Sequence, residues 1–129
     1  MRTRLLALAL PALTLAPLGV ARAGVTEANF QMRTAVDLVT LCAAAPDDPL
    51  ATAAVNFCHG FAVGVYQTLS EEQAATRQKF FCAPQPPPSR NQAIASFVSW
   101  ARANPSAMSE RPADAIADYL TTRFPCPGR

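Results

Sequence analysis

From Thr34 onward the apolar residues recur every three or four positions, and no segment alternates as a half-buried strand does. Thr34 followed by Asp37 fits a capping box and opens a first helix. That helix carries Leu38, Leu41 and Cys42 and ends in the small residues before Pro46. Asp48-Pro49 is the next start signal, an acidic N-cap with proline at the first helical position. The second helix runs through "LATAAVNFCHGFAVGVYQTL", with Ala54, Phe57, Phe61, Gly64, Val65 and Leu69 as its apolar stripe. Ser70 and Gln73 offer another capping box, so "SEEQAATRQKFF" reads as a short, offset helix with a charged outer face. Three consecutive prolines in "CAPQPPPS" stop helix formation. Ser89 and Gln92 then cap a third helix, whose Ile94, Phe97, Val98 and Ala101 fall at i, i+3, i+4 and i+7 before Asn104-Pro105 ends it. Pro112 and Asp114 open a fourth, with Ala113, Ile116, Ala117, Leu120 and Phe124 facing inward. Pro125 and Pro127 close it. Trp100 and Tyr119 are expected to be partly buried. Gly24 to Met32 has little periodicity and is expected to be a mobile lead-in. The pattern predicts an all-α bundle of four main helices and a short fifth, without internal repeats.

The residues ahead of this pattern change the charge. "MRTRLLALALPALTLAPLGVARA" has two arginines, an apolar stretch from Leu5 to Val20, and Ala21-Arg22-Ala23 as an A-x-A cleavage signal. That order reads as a secretory signal peptide cut after Ala23, leaving residues 24–129 as the mature domain. Pro11 and Pro17 interrupt the apolar run, which is shorter than the ~20 residues a spanning helix needs. The formal charge of +2 for the whole chain includes Arg2, Arg4 and Arg22. Without them eight basic residues face nine acidic ones, a charge of −1. No basic run remains for nucleic acid, and no later segment spans a membrane.

All four cysteines, Cys42, Cys58, Cys82 and Cys126, follow the cleavage point. Export and an even count point to two disulfides. In an αα-hairpin the start of the first helix lies beside the end of the second. Cys82 precedes the third helix and Cys126 follows the fourth, which favours that pair and leaves Cys42 with Cys58. A second helix starting at Pro49 places Cys58 about 13 Å along its axis, which demands a steep crossing or an irregular start. Pairing Cys42 with Cys126 and Cys58 with Cys82 avoids that difficulty and stays open.

Candidate chemistry is sparse. Cys58-His59 resembles a thiol–imidazole dyad, but adjacent residues on a helix point about 100° apart, and a bonded Cys58 is no nucleophile. The cysteine spacing lacks the short ligand pairs of structural zinc sites. Gly60 and Gly64, one helical turn apart, each cost roughly 1 kcal/mol against alanine, which points to a close backbone approach. An internal helix crossing is the expected use, and a subunit contact is the other. Asp47-Asp48 and Glu71-Glu72 are explained by helix starts. No catalytic, metal or cofactor constellation emerges, and a small, exported, stapled helical domain without one is expected to bind a partner.

The order of motifs resembles the Rap/Tai immunity proteins of bacterial type VI secretion systems. The match rests on Leu41-Cys42, then Cys58, Gly60, Phe61, Gly64 and Val65, then Phe81-Cys82-Ala83-Pro84, Asn104-Pro105 and Phe124-Pro125-Cys126. The resemblance implies a periplasmic, non-enzymatic, disulfide-bonded helical protein, often a homodimer. Its implied partner is a secreted peptidoglycan amidase effector, whose active site it blocks without any cofactor. The chain departs from the pattern after Val65, where Tyr66-Gln67-Thr68 stands in place of an acid, and in its long polar "SEEQAATRQKF" and "PQPPP" segments. Blocking a cleft needs a protruding segment. The connection from Asn104 to Pro112, with Met108, Ser109 and Glu110, is one candidate, and the charged face with Glu71, Glu72, Arg77 and Lys79 is the other. A periplasmic chaperone or stress-binding protein on the same scaffold is the alternative function.

Overall fold

The computed structural model describes residues 24–127, and the expected signal segment, residues 1–23, lies outside them. The described chain is helical and contains no strand. A 3-10 turn, Glu27–Gln31, precedes α1 (Ala35–Cys42), α2 (Ala51–Thr76), α3 (Arg90–Ala103), α4 (Pro105–Met108) and α5 (Pro112–Arg123). The all-α expectation and the four longer helices hold. The short helix expected after Ser70 is absent; a single turn, α4, stands instead in the connection after α3, where Asn104 Nδ2 donates to the Trp100 carbonyl at 2.7 Å.

The short α1 is the hub, packing against the 3-10 turn and all four other helices. The Thr34–Asp37 capping box forms at its start. Asp37 also accepts from the Arg33 backbone N–H at 2.9 Å and from Asn29 Nδ2 at 3.0 Å. Partial burial pushes the Asp37 carboxyl up, but these hydrogen bonds and the Arg33 charge outweigh it and hold it below its ordinary value. The first free N–H of α1, on Ala35, donates to the Glu110 carbonyl at 2.8 Å, so the α4–α5 connection closes the helix end. Ala35, Leu38, Val39 and Leu41 are buried.

Around α1 the α3 side chains Ile94, Phe97, Val98 and Ala101 are all buried, as their spacing predicts. The Ser89–Gln92 capping box forms, with the Ser89 N–H donating to Gln92 Oε1 at 2.9 Å. On α5, Ile116 and Leu120 are buried as expected, joined by Ala115 and Tyr119, while Ala113 is exposed. Tyr119 is buried among Phe97, Trp100 and Phe124, at ring-centroid distances of 5.6, 5.6 and 5.8 Å. Such edge-on and tilted pairs add to the area term of burial.

Three local expectations are corrected. The Gly24–Met32 lead-in is packed: Val25, Phe30 and Met32 lie against the core, and the Val25 N–H donates to Asp48 Oδ2 at 2.7 Å. Its apolar residues follow no period, so the pattern was silent. Asp48 is not the N-cap of α2. It accepts from the Leu50 N–H at 2.8 Å, and α2 begins at Ala51 after an irregular 43–50 connection. Ser70 caps no separate helix. Its hydroxyl donates to the Tyr66 carbonyl one turn back, and α2 continues to Thr76. Gln73 then accepts the Phe81 N–H at 2.8 Å as well as that of Phe80, anchoring the chain where it turns back to the core.

Two disulfides staple this arrangement, Cys42–Cys58 and Cys82–Cys126, with Cα–Cα distances of 5.2 and 4.9 Å. The favoured pairing is the observed one. Of the two ways round the spacing difficulty, the structure shows an irregular start, with α2 beginning at Ala51 after the 43–50 connection.

Candidate partner-binding surface

The second helix is the functional outlier. Among its 26 residues only Ala54 and Cys58 are buried, although its first half is strongly apolar. The bond to Cys42 fixes Cys58 toward α1. Phe57, expected in the inner stripe, is thereby rotated outward to 38 % exposure and meets the Phe30 ring edge-on at 5.4 Å. Phe61, Val65 and Leu69 keep half-buried inner places. Tyr66 is 40 % exposed.

Gly60 and Gly64 are exposed, and a Cβ added at either would meet nothing within 4 Å. They are not at an internal helix crossing, and that expectation is corrected. With Cys58 and Phe61 turned toward the core, the residues between them face away from it. His59 is half-buried beside a Cys58 that carries no free thiol. All four cysteines are in disulfides, so neither a thiolate nucleophile nor a thiolate metal ligand exists in the oxidised protein.

The two expected contact regions prove different in kind. The connection after α3 is built into the fold. Ala107 is buried, and Met108 packs half-buried against the core. One Glu110 carboxylate oxygen, Oε2, is buried without a hydrogen-bond partner among the described residues. Only Ser109 of the three sequence candidates is exposed. By contrast Glu71 and Glu72 are exposed on the last turns of α2, followed by a run of exposed residues from Ala74 to Lys79. The structure therefore does not bring the five candidates into one patch. Phe57 and Tyr66 were missed as surface residues because periodicity places them on a helix without saying which way it is turned. The bond from Cys58 to Cys42 of α1 was the signal that could have found this.

The fold defines a small, disulfide-stapled helical protein whose longest helix leaves most of its surface uncovered, with Phe57 and Tyr66 as its exposed large apolar residues. The model of the Rap1a immunity proteins matches residues 34–126, a span that holds all four cysteines. The chain belongs to that family, and the family supports the role of an immunity protein. No curated protein and no solved structure matches the chain. Among the described residues no helix is long and apolar enough to cross a membrane, and the two disulfides fit an exported protein.

Proposed function

We propose that this chain is a periplasmic immunity protein, exported by residues 1–23, that binds a secreted peptidoglycan amidase and blocks its active site without doing chemistry itself. The observation that carries the reading is the family match over residues 34–126. The amidase as target follows from the motif resemblance. Of the two candidate contact regions, the end of α2 with Glu71 and Glu72 is the better supported. It stands clear of the core, whereas Met108 and Glu110 are engaged in the fold. The test is to recover the oxidised mature chain from the periplasm of its source and identify what co-purifies. One stoichiometric amidase, inhibited on purified peptidoglycan by equimolar chain, is expected. A broad set of unrelated clients would instead make the protein a chaperone.

On that complex, Glu71→Ala with Glu72→Ala is expected to weaken binding tenfold or more, since interface hot spots cost about 2 kcal/mol or more on truncation. Met108→Ala with Glu110→Ala is expected to act through stability, lowering the melting temperature while changing affinity less than threefold. The reverse ranking in titration calorimetry would move the contact surface to the α3–α5 connection.

The open glycine face of α2 belongs to the same reading, as the contact with a second copy. Alanine is favoured over glycine by roughly 1 kcal/mol within a helix, and among the described residues nothing obstructs a methyl group at either position. Gly60→Ala with Gly64→Ala is therefore expected to stabilise the isolated chain. The same methyl groups hold apart two backbones that meet there, so sedimentation equilibrium should show a weaker dimer. A stabilised variant whose self-association is unchanged removes this face from the interface.

A further inference from the structure

A pocket of about 390 Å³, open to solvent on one side, lies against Ala62, Val63 and Tyr66 of α2. Its walls come from three helices and the 81–88 segment. Tyr66, Phe81, Ile94, Phe97, Leu120 and Phe124 supply most of the apolar lining. Pro84, Pro87 and Pro88 form a wall whose backbone has little freedom to lose. The volume falls within the range of small-molecule sites, which are mostly apolar with a few polar groups that set orientation.

Two polar groups stand in this lining. Arg90, in the first turn of α3, is exposed and makes no ion pair among the described residues. Tyr119 also lines the pocket, and its hydroxyl is buried without a hydrogen-bond partner among the described residues. A buried hydroxyl of this kind calls for an explanation, because nearly all such groups in folded proteins are paired. Phenylalanine would fill the same aromatic cluster without the polar atom. An apolar trough with a lone cation in its lining matches a molecule with a hydrocarbon tail and an anionic head.

We propose that this pocket binds a single-chain amphiphile carrying a carboxylate, with its tail along the aromatic wall and its head at Arg90. The proposal goes beyond the immunity reading and does not depend on it. The lining explains the selectivity expected. The tail gains from leaving water whatever the head, whereas Arg90 favours the anion over the neutral alcohol.

The oxidised mature chain supplies its own probe. Trp100, its one tryptophan, has its ring 5.6 Å from that of Tyr119 and 6.4 Å from that of Phe97. Titration with decanoate below its micelle concentration is expected to change Trp100 fluorescence saturably, and 1-decanol to bind more weakly. Arg90→Gln should lower decanoate affinity tenfold or more and leave decanol within twofold. Ala93→Phe fills the pocket from the partly exposed side of α3 and should abolish both, with an unchanged circular dichroism spectrum. Absence of saturable decanoate binding overturns the proposal, as does an Arg90→Gln variant that treats decanoate and decanol as the wild type does. If Ala93→Phe loses amidase inhibition while wild type binds no decanoate, the pocket belongs to an effector side chain, and the amphiphile proposal fails.

Discussion

Leu38→Ala is expected to remove about 3–5 kcal/mol of unfolding free energy, the upper part of the range for truncating a buried leucine. Leu38 has no exposed surface, and neither has Leu41 one turn on. Both sit on α1, an eight-residue helix that touches every other element of the fold. The cost of such a truncation depends on whether neighbours can close the space. Here they cannot do so easily. The end of α1 is bonded to α2 through Cys42–Cys58, and its start is hydrogen-bonded to Glu110. A domain of this size has about 5–15 kcal/mol in total, so the variant should be marginal. Urea unfolding should show a lower midpoint with an unchanged slope. Val36→Ala, on the exposed side of the same helix at 46 % exposure, should stay within about 0.5 kcal/mol of wild type. A Leu38→Ala cost below 1 kcal/mol would mean that α1 is not the organising element.

The contrast between α3 and α2 shows what the sequence made legible. On α3 the cap, the proline stop and the i, i+3, i+4, i+7 stripe agree, and all four predicted residues are buried. On α2 apolar residues occupy nearly every face of the first half, so periodicity identifies a helix but leaves its rotation undetermined. A covalent bond from outside the helix sets that rotation, turning Cys58 in and Phe57 out. The Ser70–Gln73 pair was misleading for a related reason. A capping box is only local competition for backbone donors, and a helix already propagating satisfies those donors itself. Ser70 then bonds back to Tyr66, and Gln73 is free to hold the chain at Phe80 and Phe81. The packing of Val25, Phe30 and Met32 was illegible because irregular backbone has no period. Likewise the glycine pair announced a close approach that no neighbouring element among the described residues makes.

Reduction of the two disulfides is expected to proceed in order, with Cys82–Cys126 opening first and the protein surviving that step. Burial decides the order. Cys58 of α2 is completely buried while Cys42 is partly exposed, so the first bond offers a reductant one partly open end. Cys82 and Cys126 are both partly exposed where α5 has ended and the proline segment begins. Thiol–disulfide exchange requires in-line access of a thiolate to a sulfur, which favours the second site. The energetic ranking by loop length points the other way. Closing a 44-residue separation is worth about 4 kcal/mol in the chain-entropy account, against about 3 for a separation of 16. So the bond expected to open first also removes the larger entropic constraint. The partly reduced protein should keep the α1–α2 staple and the Cys82 N–H bond to the Phe124 carbonyl, at 2.8 Å, as its remaining tie between the segments. Cys82→Ala with Cys126→Ala is expected to fold with a stability lower by about 4 kcal/mol. Cys42→Ala with Cys58→Ala loses its entropic term and also leaves a cavity in the core, so its cost should equal or exceed that. Opening both bonds removes about 7 kcal/mol, enough to leave a domain of this size largely unfolded. Timed reduction with alkylation and peptide mapping reads the order directly. Recovery of labelled Cys42 and Cys58 before labelled Cys82 and Cys126 would show that the α1–α2 junction opens locally and is not the stable centre of the fold.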